Sequence, residues 1–302
     1  MSTVTQSPLP SPLRHRSIAG RKAADLIVKI LSWIGALAGI AVMALVLYEV
    51  VIRGLKAWNV AFFTQPVPLD PMSTGGGMAN AIVGTLVITA GAALIAIPIG
   101  FMAGVYLAEY GRNGRVATGV RMVANVVMGV PSIIVGVFAF AILVKPLHHY
   151  SGFAGSVALA FLMLPVMART TEDILNLVPN ELRESGLAMG APRWRVTLKV
   201  VCKAARGGLI TGATLAIVRV AGETAPLLFT ALSSPYWITG LFGPGGYFGG
   251  PVANLTKTIF DMSGSPFPHM QSLAWGGALF IIVFVLGLNI LVRLLFQRGK
   301  EW

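Results

Sequence analysis

Two ionisable residues, Arg219 and Glu223, interrupt the apolar stretch RVAGETAPLLF within a run from Gly207 to Leu232 that otherwise suits hydrocarbon. An ionisable group at mid-bilayer is costly, and its default reading is functional. Arg219 lies twelve residues beyond Gly207, about 18 Å along a helix and so near the middle of a core about 30 Å thick. Four residues apart, the two side chains share one helix face and can pair. One chemistry is recognition of a passing oxyanion: the guanidinium offers a planar fork of donors. Glu223 would then hold Arg219 in place and keep the anion from binding too tightly. The other is a neutralised ion pair that only packs. Gly222 and Pro226 loosen the helix around the pair, as a gate requires.

Other candidates carry less. Arg169, with Glu172 and Asp173 beside it near the end of an earlier apolar run, either helps an anion leave or snorkels to an interface. His148-His149 has no acidic or sulfur ligand nearby in sequence, so no metal is expected. The single cysteine, Cys202, excludes an internal disulfide. No catalytic residue is identified: there is no G-x-x-x-x-G-K-[ST] phosphate loop, no H-E-x-x-H and no G-x-S-x-G. The chain therefore is not expected to hydrolyse ATP itself. Asn254-Leu255-Thr256 matches a glycosylation sequon, a pattern short enough to arise by chance.

The elements that must hold Arg219 are membrane spans. Of 302 residues, 55% are apolar and only 11% charged, and the mean hydropathy is +0.77. The composition excludes an ordinary soluble domain. The expected fold is all-α and polytopic, with six transmembrane helices at about 26–52, 79–106, 116–144, 152–177, 207–232 and 273–296. Pro98, Pro131, Pro165 and Pro226 fall inside these spans, and Gly84, Gly91, Gly100 and Gly104 fall in the second. Such a kinked, glycine-rich bundle fits a transporter. The Ser/Thr/Pro-rich start predicts a disordered, cytoplasmic N-terminal tail over 1–25, followed by an uncleaved first helix and a core over 79–296. Between the last two spans, Ser233 to Ser272 is rich in Gly, Pro and aromatics, with a short helix expected from Ala253 to Met262.

Lys and Arg gather on one side of this topology. Arg14, Arg16, Arg21, Lys22, Arg112, Arg115, Arg293, Arg298 and Lys300 lie there, which puts both termini in the cytoplasm by the positive-inside rule. This placement accounts for the net charge of +12 without nucleic acid. The same side carries the polar interruption PNELRESGLAMGAPRWRVTLKVVCKAAR, over 179–206. It reads as two short helices around a break, with Leu182, Leu187 and Met189 on an apolar side. Gly190 suits a left-handed cap and Pro192 the first turn of the next helix.

Glu184-Ser185-Gly186, three residues and Gly190 resemble the cytoplasmic coupling loop of ABC importer permeases, whose motif is Glu-Ala-Ala, three residues, Gly. Ser185 and Gly186 replace the two alanines, and the family's later Leu-Pro falls on Cys202-Lys203, which leaves the end of the second helix open. Further stretches resemble the phosphate-specific branch, of the PstA type: Asn80 to Leu86, Tyr106 to Gly111, Gly129 to Gly136 and Gly222 to Leu228. Together they cover most of the chain from Ala79 to Arg293. The resemblance implies a type I ABC importer permease fold with a cytoplasmic coupling helix, in a bacterial inner membrane. It implies a sister permease of the PstC type, an ATPase dimer of the PstB type that carries ATP and Mg, and an extracytoplasmic phosphate-binding protein of the PstS type. By matching position, Arg219 and Glu223, with Arg169, belong to the substrate pathway. Glu184, Ser185, Gly186, Gly190, Ala191 and Pro192 belong to the ATPase-coupling elbow. The alternative is a permease of the same architecture for another oxyanion, sulfate or molybdate. From another class, an anion channel would conduct without ATPase partners.

Overall fold

The computed structural model describes residues 18–111 and 114–297. Every element among them is helical. The chain divides into two units between Glu49 and Val50. Helix α1, Ile18–Ala57, starts earlier than expected. Residues 18–25, assigned to a disordered tail, are helical, while residues 1–17 lie outside the described part. The side chains of α1 between Gly20 and Leu47 are exposed, and its hydropathy is that of a membrane span.

The second unit begins upstream of the core expected from residue 79. Helix α2, Val60–Thr64, is capped by Asn59, whose side chain accepts from the Phe62 amide. Phe62 and Met78 are fully buried with Leu255, Met262 and Leu273, so the segment before residue 79 is part of the packed unit. Helix α3, Ala79–Val105, is extended by a π-helical turn at Tyr106–Tyr110. Helix α4, Arg115–Gly129, is followed by α5, Ser132–Ala139, a π turn at Phe140–Val144 and α6, Lys145–Leu147. Helix α7 runs from Gly152 to Asn176.

The polar interruption forms α8, Asn180–Ala188, and α9, Arg193–Val196; the latter continues through a π turn, Thr197–Val201, into α10, Cys202–Ala204. Gly190 adopts φ +75° between them, the left-handed conformation expected there. Pro192 is the N-cap of α9 rather than its first residue. Helix α11, Arg206–Ala221, and α12, Ala225–Thr230, follow. After a turn-rich segment come α13, Leu255–Ser263, and α14, Pro268–Gln297.

Four helices are individually long and apolar enough to span a membrane, and up to six spans result if each of two bent pairs counts as one. The expected third span is not one rod. It bends by 102° between Gly129 and Ser132, because Pro131 drives Val130 out of the α region (φ −72°, ψ 131°). The expected fifth span is also discontinuous: α11 stops at Ala221, and α12 restarts with Pro226 in its first turn. At its other end α11 meets α10 at a 75° bend. Here, where the family's proline is missing, the second helix of the elbow ends at Ala204.

Helices α3 and α7 form the centre. Ile88, Ala92 and Ala96 of α3 pack with Leu159 and Met163 of α7, with Ala216 and Val220 of α11 added on top. Contact is close because α3 presents glycine. A Cβ at Gly104 would lie 2.5 Å from the Ala168 carbonyl, and one at Gly84 would lie 1.8 Å from the Ala253 carbonyl. Gly84→Ala must therefore move backbone, with an expected loss of about 2 kcal/mol or more. Gly119→Ala in α4 meets nothing within 4 Å and should be stabilising by about 0.5 kcal/mol. Thermal unfolding of the detergent-solubilised chain checks both; equal midpoints for the two variants would contradict the packing.

Candidate functional site

The two helix breaks face each other. Gly136 of α5 lies so close to α12 that a Cβ there would stand 2.7 Å from the Cα of Pro226. Beside this contact is a cavity of about 150 Å³, lined by Val127, Met128, Val130 and Ser132 at the first break and by Arg219, Val220 and Glu223 at the second. Leu162 and Val166 of α7 form its wall. Arg219 is exposed into this space and Glu223 is half-buried. The first turn of α5 carries no side-chain cap, so its amide groups add partial positive charge. A guanidinium, a hydroxyl and an uncapped helix start make a setting for an anion.

Arg219 and Glu223 do not pair. Their expected shared helix face depended on four continuous residues of helix, and α11 ends at Ala221, between them. Glu223 instead sits in the break, where its backbone carbonyl accepts a hydrogen bond from Thr256 Oγ1 at 3.0 Å. Helix α13 thus fixes the break from outside. The guanidinium is left facing the cavity rather than neutralised by its neighbour.

Arg169 does not line the cavity. Its Nη1 lies 2.8 Å from Glu172 Oε2, and Arg121 Nε of α4 lies 2.6 Å from Glu172 Oε1. Arg121 Nη2 also donates to the Leu107 carbonyl at 3.1 Å. The buried Glu172 carboxylate, with 4% of its side chain exposed, therefore joins two arginines and ties α4 to α7. Sequence reading passed over Arg121 altogether, since nothing local marks it as a partner 51 positions away. Asp173 is exposed.

In the elbow, Glu184, Ser185, Gly190 and Pro192 are exposed, while Gly186 and Ala191 are partly buried. Gly186 allows α8 to rest on Val196 of α9, where a Cβ would come within 2.9 Å. Leu182, Leu187, Met189 and Trp194 are exposed on the surface of the elbow. An apolar side was expected, and this chain leaves it uncovered. Beneath it, Glu109 and Arg183 form a buried ion pair that sequence reading also missed.

Outside the cavity, Asn254 is fully buried. Its side chain caps α13 and donates to the Leu232 carbonyl, so the sequon is structural. Among the described residues no cluster of three or more His, Cys, Asp and Glu is arranged to hold a metal.

The residues from 96 to 300 match the family described as the binding-protein-dependent transport system inner membrane component. A phosphate transport system permease protein PstA from Yersinia pestis is 43% identical over 288 residues, which span 95% of each chain. The PstA of Haemophilus influenzae is 40% identical, over 93% of this chain and 96% of its own. The chain belongs to the PstA permease family. This family chain is multi-pass and all-helical, and its relatives are phosphate transport permease proteins. Its fold is shared with distant solved permeases. An ABC transporter that imports alginate gives a TM-score of 0.63 at 14% identity, over 93% of this chain and 100% of that one. The MetNI methionine ABC transporter in an inward-facing form gives 0.55 at 20% identity, over 72% and 92%.

Within this PstA-family chain, Glu172→Leu leaves two guanidinium groups without their shared carboxylate. The expected loss is about 3 kcal/mol, read as a lowered thermal midpoint. A shift of less than about 1 °C would show that Glu172 does not hold α4 to α7.

Proposed function

We propose that this chain is the PstA-type permease subunit of an ATP-driven importer of inorganic phosphate. The observation that carries the reading is Arg219, exposed into a polar cavity at two facing helix breaks and not paired with Glu223. Discontinuous helices whose ends surround a midplane site are a recurring way to bind polar cargo in lipid. Phosphate as the cargo is supported by the PstA relatives. The chain forms half of the pathway, and a PstC-type sister permease forms the other half. A PstB-type ATPase dimer binds ATP and Mg and grips the elbow through Glu184 to Pro192; a PstS-type protein delivers phosphate from outside. Both termini are cytoplasmic, on the side of the elbow.

The mechanism assigns each residue a step. Arg219 donates to the oxyanion as it passes, and Glu223, held in the break by Thr256, opposes tight retention. Arg169 lies one turn along α7 from the cavity-lining Val166 and attracts the anion as it leaves. ATP-driven closure of the ATPase dimer moves the elbow, the helices that follow it reorient, and hydrolysis resets them.

The test is uptake of radiolabelled phosphate in cells lacking high-affinity uptake and supplied with the complete system. Arg219→Leu removes a charge-assisted donor set worth about 2 kcal/mol, so uptake should fall about thirtyfold or more with assembly intact. Glu223→Gln should also lower it, and Arg169→Gln should do so less. Wild-type uptake by an assembled Arg219→Leu transporter would remove Arg219 from the pathway and leave it a packing residue. Transport of sulfate or molybdate but not phosphate would keep the architecture and reject the substrate.

A further inference from the structure

Glu109 lies in the π turn that ends α3 and is 6% exposed. The wide turn buries Leu107, Ala108 and Glu109, and π turns often mark functional sites. Its Oε1 accepts from Arg183 of α8 twice, from Nε at 3.0 Å and from Nη2 at 2.8 Å. The same guanidinium donates to the carbonyls of Leu175 at 2.7 Å and Val178 at 2.5 Å, at the end of α7. On the far side of Gly190, Arg193 donates to the Glu109 backbone carbonyl and lies 5.0 Å over the Tyr110 ring. One short turn of α3 thus holds both limbs of the elbow.

We propose that Glu109 is a positioning residue for energy coupling: through Arg183 it locks the elbow to the ends of α3 and α7, so that displacement of the elbow becomes displacement of those two helices. The inference rests on the reading above, in which an ATPase grips the elbow. Apolar packing resists compression but lets surfaces slide. A buried, directional ion pair with further bonds to two carbonyls resists pulling and shear as well. The exposed face of α8, with Leu182 and Leu187, is left free for the partner.

The complete transporter, reconstituted in vesicles with its binding protein, gives phosphate imported and ATP hydrolysed in one assay. With Glu109→Gln, ATP turnover should stay within about twofold of wild type while phosphate moved per ATP falls about tenfold, the effect of losing one charge-assisted link. Glu109→Asp should recover part of the ratio, and Asp173→Asn, an exposed acidic change at the end of α7, should leave it unchanged. An assembled Glu109→Gln transporter with the wild-type ratio overturns the proposal. If Glu109→Gln does not assemble, Arg183→Lys, which keeps the charge but loses the fork, takes its place with the same expected fall. A wild-type ratio in that variant overturns the proposal, and failure of both to assemble overturns it by making the pair a folding requirement. A wild-type system that shows no ATP-driven uptake of any anion refutes the transport reading itself, and the coupling role with it.

Discussion

Close backbone contact between α3 and α7 is the constraint on which the second unit depends. In lipid, apolar side chains gain little by leaving hydrocarbon for each other, so helices associate through tight packing and interhelical hydrogen bonds. Gly91, Gly100 and Gly104 give α3 a surface that sits against Ser156, Met167 and Ala168 of α7. Ser156 uses the approach, donating from Oγ to the Ile88 carbonyl at 2.8 Å and receiving the Tyr247 hydroxyl at 2.6 Å. With this pair fixed, α11 and α12 have a surface to pack on, and the turn-rich segment before α13 is anchored through Tyr247.

A rigid pair at the centre permits broken helices around it. A helix end inside a membrane must have its backbone groups satisfied by neighbours or by a cavity. Here the breaks at Val130-Pro131 and at Gly222 to Thr224 lie together, against the wall that α7 supplies. The Glu223 carbonyl goes to Thr256, and the polar side chains at the breaks face the cavity. The position of Arg219 follows from these breaks and not from its helix alone.

The other end of the same helix pair is organised by carboxylates. Glu172 joins Arg121 and Arg169, and Glu109 joins Arg183. Each acid is buried; Arg169 lies on α7 beside Glu172, while the other two arginines bring in separate elements, Arg121 from α4, which leads to the first break, and Arg183 from α8, the first limb of the elbow. Replacing a whole buried ion pair by well-packed apolar residues is often neutral, whereas removing one partner strands the charge of the other, so such pairs resist the loss of either member.

By itself the sequence determined the features that depend on local composition. Run length and hydropathy marked the spans, a charged interruption marked the elbow, and the need for a left-handed residue marked Gly190. Two ionisable residues in an apolar run singled out Arg219 and Glu223, and both line the cavity at the helix breaks. Tertiary structure decided what depends on which helix ends meet. It broke the third and fifth spans, because a proline restricts its predecessor only as far as the surrounding packing lets the bend be used. It separated Arg219 from Glu223, since spacing along the chain predicts a shared face only where the helix is continuous. It paired Glu109 with Arg183, 74 positions apart, and Arg121 with Glu172. No periodicity encodes such partners: a buried charge is matched by whatever opposite charge the folded chain brings within reach.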